Sequence, residues 1–166
     1  MTITLIGMPG AGKSCMGRAL SRKLKMKMID GDRLIESRTG KKLHEIISEV
    51  GLEGFKKIEE ETLLSITEDN IIIAPGGSAI YYDSVMQHFK KMGVVVYIYV
   101  SPEILLKRLG DFSKRGIVLK DGQSINDLFA ERVPLLEKYA DIKINCNGTA
   151  YPAYQSEAIR KIREYM

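Results

Sequence analysis

Cysteine is scarce: Cys15 and Cys146 are the only two in 166 residues. They show neither metal-ligand spacing nor the clustered pattern of a disulfide framework, which excludes a thiol-stapled secreted module. Long apolar runs are missing as well. None approaches the roughly 20 residues that a membrane span needs, and a strand-like segment begins at Thr2, leaving no room for a signal peptide. Cytoplasm is therefore the expected compartment, with no membrane partner. Internal repeats, low-complexity tracts and Pro/Ser-rich linkers are also absent, so one domain over residues 1–166 is expected. Lys and Arg number 25 against 21 Asp and Glu, for a net charge of +4. No aromatic-interleaved basic block concentrates that excess, so it suits anionic small ligands and no nucleic-acid partner is expected. No helix or strand reads as an exposed apolar stripe, and a monomer is expected.

What the chain does have comes early, in "TLIGMPGAGKSCMGRAL". Glycines inside a strand or helix cost roughly 0.5–1 kcal/mol each relative to alanine, so another demand must favour Gly7, Gly10 and Gly12. Gly7, Gly12, Lys13 and Ser14 fill the template G-x-x-x-x-G-K-[ST], a nucleotide-phosphate loop. Free of side chains, the loop around Gly10, Ala11 and Gly12 can wrap a phosphate chain with its N–H groups. The helix that follows adds free amides and the positive end of its dipole. Lys13 supplies a point charge for the outer phosphates, and the Ser14 hydroxyl can join the coordination sphere of Mg²⁺. Cys15 falls in the first turn of that helix; burial as a small residue is its expected use, with a depressed thiol pKa as the alternative.

Apolar, β-rich runs recur at "TITLI", "NIIIA", "GVVVYIYV" and "DIKIN", with a short "MKMID" between the first two. Helical patterns separate them, over about 14–24, 41–67 in two pieces broken at Gly51, 83–92, 102–109, 124–138 and 153–165. Such alternation predicts an α/β fold with a mainly parallel sheet covered on both faces, and a ligand site along the carboxyl ends of its strands. The loops at those ends read "DGD" after the second strand and "PGGS" after the third.

Asp30 and Asp32, at a strand-to-helix junction, suit the two carboxylate roles of a kinase. One lies near Mg²⁺ and the other orients or deprotonates the attacking hydroxyl. Capping of the helix "RLIESR" is the alternative use of Asp32. Gly76 and Gly77 mark either a close approach of the backbone to substrate or a neighbouring loop, or a tight turn. "RLGDFSKRGIVLKDGQS" has little apolar periodicity and reads as a mobile lid over about 110–123, with Arg108 and Arg115 as basic groups for phosphoryl charge. Pro134 is expected to kink or restart the helix around "ERVPLLEKYAD" just after Arg132.

Taken in order, "GMPGAGKS", "MIDGDRLIE", "GLEGFKKIEEE", "PGGSAI", the arginine pair before "GIVL" and "ERVPLLEKYAD" resemble the shikimate kinase family of small P-loop kinases. The resemblance covers nearly the whole chain. It implies a three-layer P-loop NTPase fold with a five-stranded parallel sheet in the order 2-3-1-4-5. The implied reaction, in aromatic amino-acid biosynthesis, moves the γ-phosphoryl of ATP to a ring hydroxyl of shikimate with Mg²⁺. By position, Lys13 and Ser14 would serve phosphates and metal, and Asp30 would assist the metal through water. Asp32 would bind acceptor hydroxyls and act as base, Gly76 and Gly77 would line the acceptor pocket, and Arg132 would pair with the acceptor carboxylate. Arg115 would descend onto the transferring phosphate and Arg108 would stack near the adenine.

Three positions depart from the family pattern: Lys56 where "FRxxE" has arginine, Ser78 where a third glycine is usual, and Gly116 where the lid usually has proline. Lys56 keeps a charge but lacks the bidentate fork. The alternatives are a diverged kinase for another hydroxy acid or polyol, and a nucleotide-binding module without kinase activity. A nucleoside monophosphate kinase would continue its phosphate loop as "GKGT", where this chain reads "GKSC".

Overall fold

The computed structural model describes residues 1–109, 122–148 and 151–166. Five strands form one sheet: β1 (Thr2–Ile6), β2 (Lys27–Asp30), β3 (Ile71–Ala74), β4 (Gly93–Tyr99) and β5 (Ile142–Asn145). Their order is β2-β3-β1-β4-β5, with every pairing parallel. This is the sheet implied by the family resemblance. β1 lies between β3 and β4, with Ile3 opposite both Ile72 and Val94. Burial follows position: β1 and β3 are buried throughout, whereas edge strand β5 alternates buried and exposed residues. Parallel strands covered on both faces need continuous apolar runs and an edge strand does not, so the quoted runs match their strands.

The helices are α1 (Lys13–Leu24), α2 (Gly31–Thr39), α3 (Leu43–Leu64), α4 (Asp83–Met92), α5 (Pro102–Leu109), α6 (Ile125–Tyr139) and α7 (Tyr151–Tyr165). α3 is broken at Gly51, whose φ of 74° lies in the left-handed region, at the residue the sequence marked. α2 and α3 carry a small apolar cluster of their own, Ile35, Ile46 and Phe55, beside the main core. Ser124 and Asp127 cap α6 reciprocally, the Asp127 N–H donating to Ser124 Oγ at 3.1 Å and the Ser124 N–H to Asp127 Oδ2 at 2.9 Å. Val85, Met86 and Phe89 turn the buried face of α4 toward the sheet. Phe89→Ala is expected to lower unfolding free energy by about 3–5 kcal/mol through the cavity it leaves, read as a lower urea midpoint with an unchanged m-value.

Three local expectations need correction. Pro134 neither kinks nor restarts α6, which runs through it. The carbonyl it leaves without a donor belongs to exposed Ala130, where water can satisfy it. Cys15 is exposed rather than buried, because the buried stripe of α1 is Met16, Gly17, Ala19 and Leu20. α2 is capped by Asp30 and not Asp32: the Arg33 N–H donates to Asp30 Oδ1 at 3.2 Å, and Asp32 lies inside the first turn.

Candidate active site

The carboxyl ends of β1, β2 and β3 open onto a cleft of about 1180 Å³. Its walls bring together Gly10, Lys13, Ser14, Asp30, Asp32, Lys56, Gly76, Gly77, Ser78 and Arg132. Residues more than a hundred positions apart in sequence thus share one cavity, because three strand ends and the buried face of α6 converge there.

On the nucleotide side, Gly12 begins α1 with a φ of 98°, a conformation that side chains disfavour. A Cβ on Gly7 would stand 2.8 Å from the Ile98 carbonyl oxygen. The Ala11 N–H is taken by the Met8 carbonyl at 3.1 Å, and the Ala11 side chain is buried. Lys13 Nζ bends back to donate to the Gly7 and Met8 carbonyls at 2.8 and 2.9 Å, so the ammonium sits over the loop. Burial, and then the like charge of Arg132, bring the Lys13 pKa down to about 8, opposed by Asp32 and Asp30. Cys15 is exposed at the start of α1. Arg108 is exposed on α5 with its guanidinium 3.5 Å from the Cys146 carbonyl oxygen. Arg115, Gly116 and most of the expected lid fall within 110–121, outside the described residues.

On the opposite side, Asp32 Oδ1 would lie 2.7 Å from a Cβ on Gly76, and Arg132 Nη1 would lie 2.7 Å from a Cβ on Gly77. The Asp32 and Arg132 side chains leave no room for a Cβ at either glycine, so the pair serves a close approach. Burial first, then the negative charges of Asp30 and Glu59, push the Asp32 pKa up to about 6, with Lys13 opposing. Arg132 is 8 % exposed; its Nε donates to the Tyr81 hydroxyl at 3.3 Å, and its guanidinium carbon lies 5.5 Å from the Tyr81 ring centroid. Lys56 lines the cleft but is exposed and pairs with Glu53 at 3.2 Å.

Glu59, Tyr81 and Tyr82 also belong to the cleft, and none of them is among the residues expected there from the sequence. Glu59 is 2 % exposed and its Oε1 accepts from Ser78 Oγ at 2.6 Å and from the Tyr82 hydroxyl at 2.8 Å. The glutamate that ends "FKKIE" was a signal for it; nothing in the local sequence marks the two tyrosines.

The arrangement holds a phosphate-loop lysine, a half-buried carboxylate with a raised pKa and a buried guanidinium in one cleft. That set can grip polyphosphate, take a proton from a hydroxyl and neutralise an acid. Similarity to known proteins agrees with it. The family described as shikimate kinase matches residues 9–165. A shikimate kinase of Bacillus anthracis is 33% identical over 164 residues, covering 98% of this chain and 99% of that relative. One from Francisella tularensis subsp. novicida is 37% identical over 150 residues, covering 88% and 85%. Among solved structures, the shikimate kinase from Acinetobacter baumannii in complex with shikimate superposes with a TM-score of 0.88 at 30% identity, covering 98% of this chain and 93% of that one. With a family match over nearly all its length and a cleft of the corresponding chemistry, this chain belongs to the shikimate kinase family.

Proposed function

We propose that the protein transfers the γ-phosphoryl group of ATP to a hydroxyl of shikimate. The observation that carries this reading is the convergence of Lys13, Asp32 and Arg132 on one cleft beside a phosphate loop. ATP lies along the loop, with its phosphates met by the N–H groups of Gly10 and of Gly12 to Cys15 and by the Lys13 ammonium, while the Ala11 N–H stays on the Met8 carbonyl. Arg108 flanks the base and Arg115 covers the transferring phosphoryl group. Arg132 pairs with the shikimate carboxylate, an interaction that its planar fork makes directional. Asp32 accepts a hydrogen bond from the attacking hydroxyl and takes its proton as the new O–P bond forms and the bond to ADP breaks. Gly76, Gly77 and Ser78 form the floor under the acceptor, and Lys56 adds positive charge at its rim.

The donor set fits Mg²⁺. Ser14 and Asp30 both line the cleft, and among the described residues no group of three or more His, Cys, Asp or Glu forms a cage. One hydroxyl and one carboxylate suit an ion that keeps several waters and relies on substrate phosphates. Bound there by Ser14 and, through water, Asp30, Mg²⁺ would neutralise charge on the β- and γ-phosphates.

Two titrations frame the pH dependence. Asp32 must be ionised to accept a proton, so kcat/KM for shikimate should rise with pH through about 6. Lys13 must be charged to meet the phosphates, so kcat/KM for Mg-ATP, which reports the ATP-free enzyme, should fall as pH rises through about 8. Bound triphosphate favours the ammonium, which moves the basic limb of kcat to higher pH than that of kcat/KM for Mg-ATP. Flat profiles of the two kcat/KM values between pH 5 and 9 would contradict both assignments. The chemistry itself is read by ³¹P NMR of a mixture of enzyme, Mg-ATP and shikimate. A new phosphomonoester resonance growing in step with ADP is expected, whereas release of inorganic phosphate alone would show a hydrolase instead.

A further inference from the structure

Glu59 poses a problem in electrostatics. A carboxylate this buried is costly unless it is well partnered, yet among the described residues no cation forms an ion pair with it. Lys56, one helical turn earlier, faces Glu53 at the surface. Two hydroxyls fill the gap, Ser78 and Tyr82, both donating to the same oxygen, Oε1. They sit at either end of the short 3₁₀ turn Ala79–Tyr81 that follows the glycine pair. Glu59 Oε2, the other oxygen, lies 3.3 Å from where a Cβ on Gly76 would stand, the point that Asp32 Oδ1 approaches to 2.7 Å. Glu59 and Asp32 therefore flank one glycine in the acceptor half of the cleft.

We propose that Ser78 and Tyr82 are positioning residues that hold Glu59 in place beside Asp32, so that acceptor affinity in this chain depends on the Ser78 hydroxyl. The proposal rests on the assignment of this half of the cleft to shikimate. Hydroxyl donors satisfy Oε1 without filling the cleft, and they fix the direction in which Oε2 points. Removing one leaves a buried carboxylate short of a donor and free to turn. Ser78 thus has a structural task that a glycine, lacking the hydroxyl, cannot perform.

Ser78→Ala should raise the KM for shikimate about tenfold, the worth of one hydrogen bond to a charged group. KM for ATP should stay within about twofold of wild type, because the phosphate loop does not contact this network. Tyr82→Phe should act in the same direction, and Ser78→Thr, which keeps the hydroxyl, should restore most of the affinity. An unchanged shikimate KM in Ser78→Ala, or an equal rise in the KM for ATP, would overturn the proposal. Urea unfolding supplies a second, acceptor-free test with wild type, Ser78→Ala, Glu59→Gln and the double variant. Ser78→Ala should destabilise the wild-type background more than the Glu59→Gln background; additive losses would overturn the Glu59 seat. If wild type were silent on shikimate, the acceptor assignment would fall while the unfolding cycle still decided the network.

Discussion

Asp32→Asn should lower kcat with shikimate and Mg-ATP by about 10²- to 10⁴-fold, the contribution typical of a general base. The substitution is nearly isosteric and Asp32 is not the α2 cap, which is Asp30, so the fold should survive. What is lost is a proton acceptor whose affinity is set by its surroundings. Burial, Asp30 and Glu59 all disfavour its charge, and Lys13 alone among the named neighbours favours it. The asparagine amide cannot take a proton at any accessible pH, so the acid limb near pH 6 should vanish together with the rate. KM for ATP should change little. Steady-state ADP release across pH measures all three quantities; a variant retaining wild-type kcat would remove Asp32 from the mechanism.

Arg132→Ala carries the second large effect. Its guanidinium is buried, wedged against Gly77 and aligned by the Tyr81 ring and hydroxyl. Loss of one partner from a buried, hydrogen-bonded charge pair costs about 2–5 kcal/mol, so KM for shikimate should rise by about 30-fold to several thousandfold. Arg132→Lys should recover only part of this, since a lysine offers charge without the fork. There is a second consequence at a distance. Arg132 is the like charge that helps depress Lys13, so removing it should raise the Lys13 pKa and move the basic limb of kcat/KM for Mg-ATP above about 8. A large KM effect with an unmoved basic limb would confirm the clamp and contradict the electrostatic link.

Much of this was legible in the sequence because the relevant signals are local. Continuous apolar runs announced β3 and β4, as strands buried on both faces favour, and the β-branched run "TITLI" announced β1, whose Thr2 and Thr4 are buried with the rest. Gly12 at a φ of 98° and Gly51 at 74° sit where backbone demands override propensity, and both stood out as punctuation. The order of the strands was not in the periodicity. It came from the family resemblance, because periodicity marks where strands lie and not which of them are neighbours in the sheet. Asp30 and Asp32 both fit a cap, and only the end of β2 at Asp30 decides between them. The side-chain network that joins Ser78 and Tyr82 to Glu59 was beyond reach for a different reason. Its contacts join residues 19 and 23 positions apart through side chains alone, which no spacing rule encodes. The Arg132–Tyr81 pair spans 51 positions and is hidden in the same way.

Shikimate-dependent ADP release by the purified protein with Mg-ATP, run beside quinate, gluconate and other hydroxy acids, decides whether this cleft phosphorylates shikimate. Saturable turnover on shikimate, with a kcat/KM well above that of every other acceptor, is the expected result. Turnover confined to another hydroxy acid, or ATP binding with no acceptor-dependent ADP release, would contradict it.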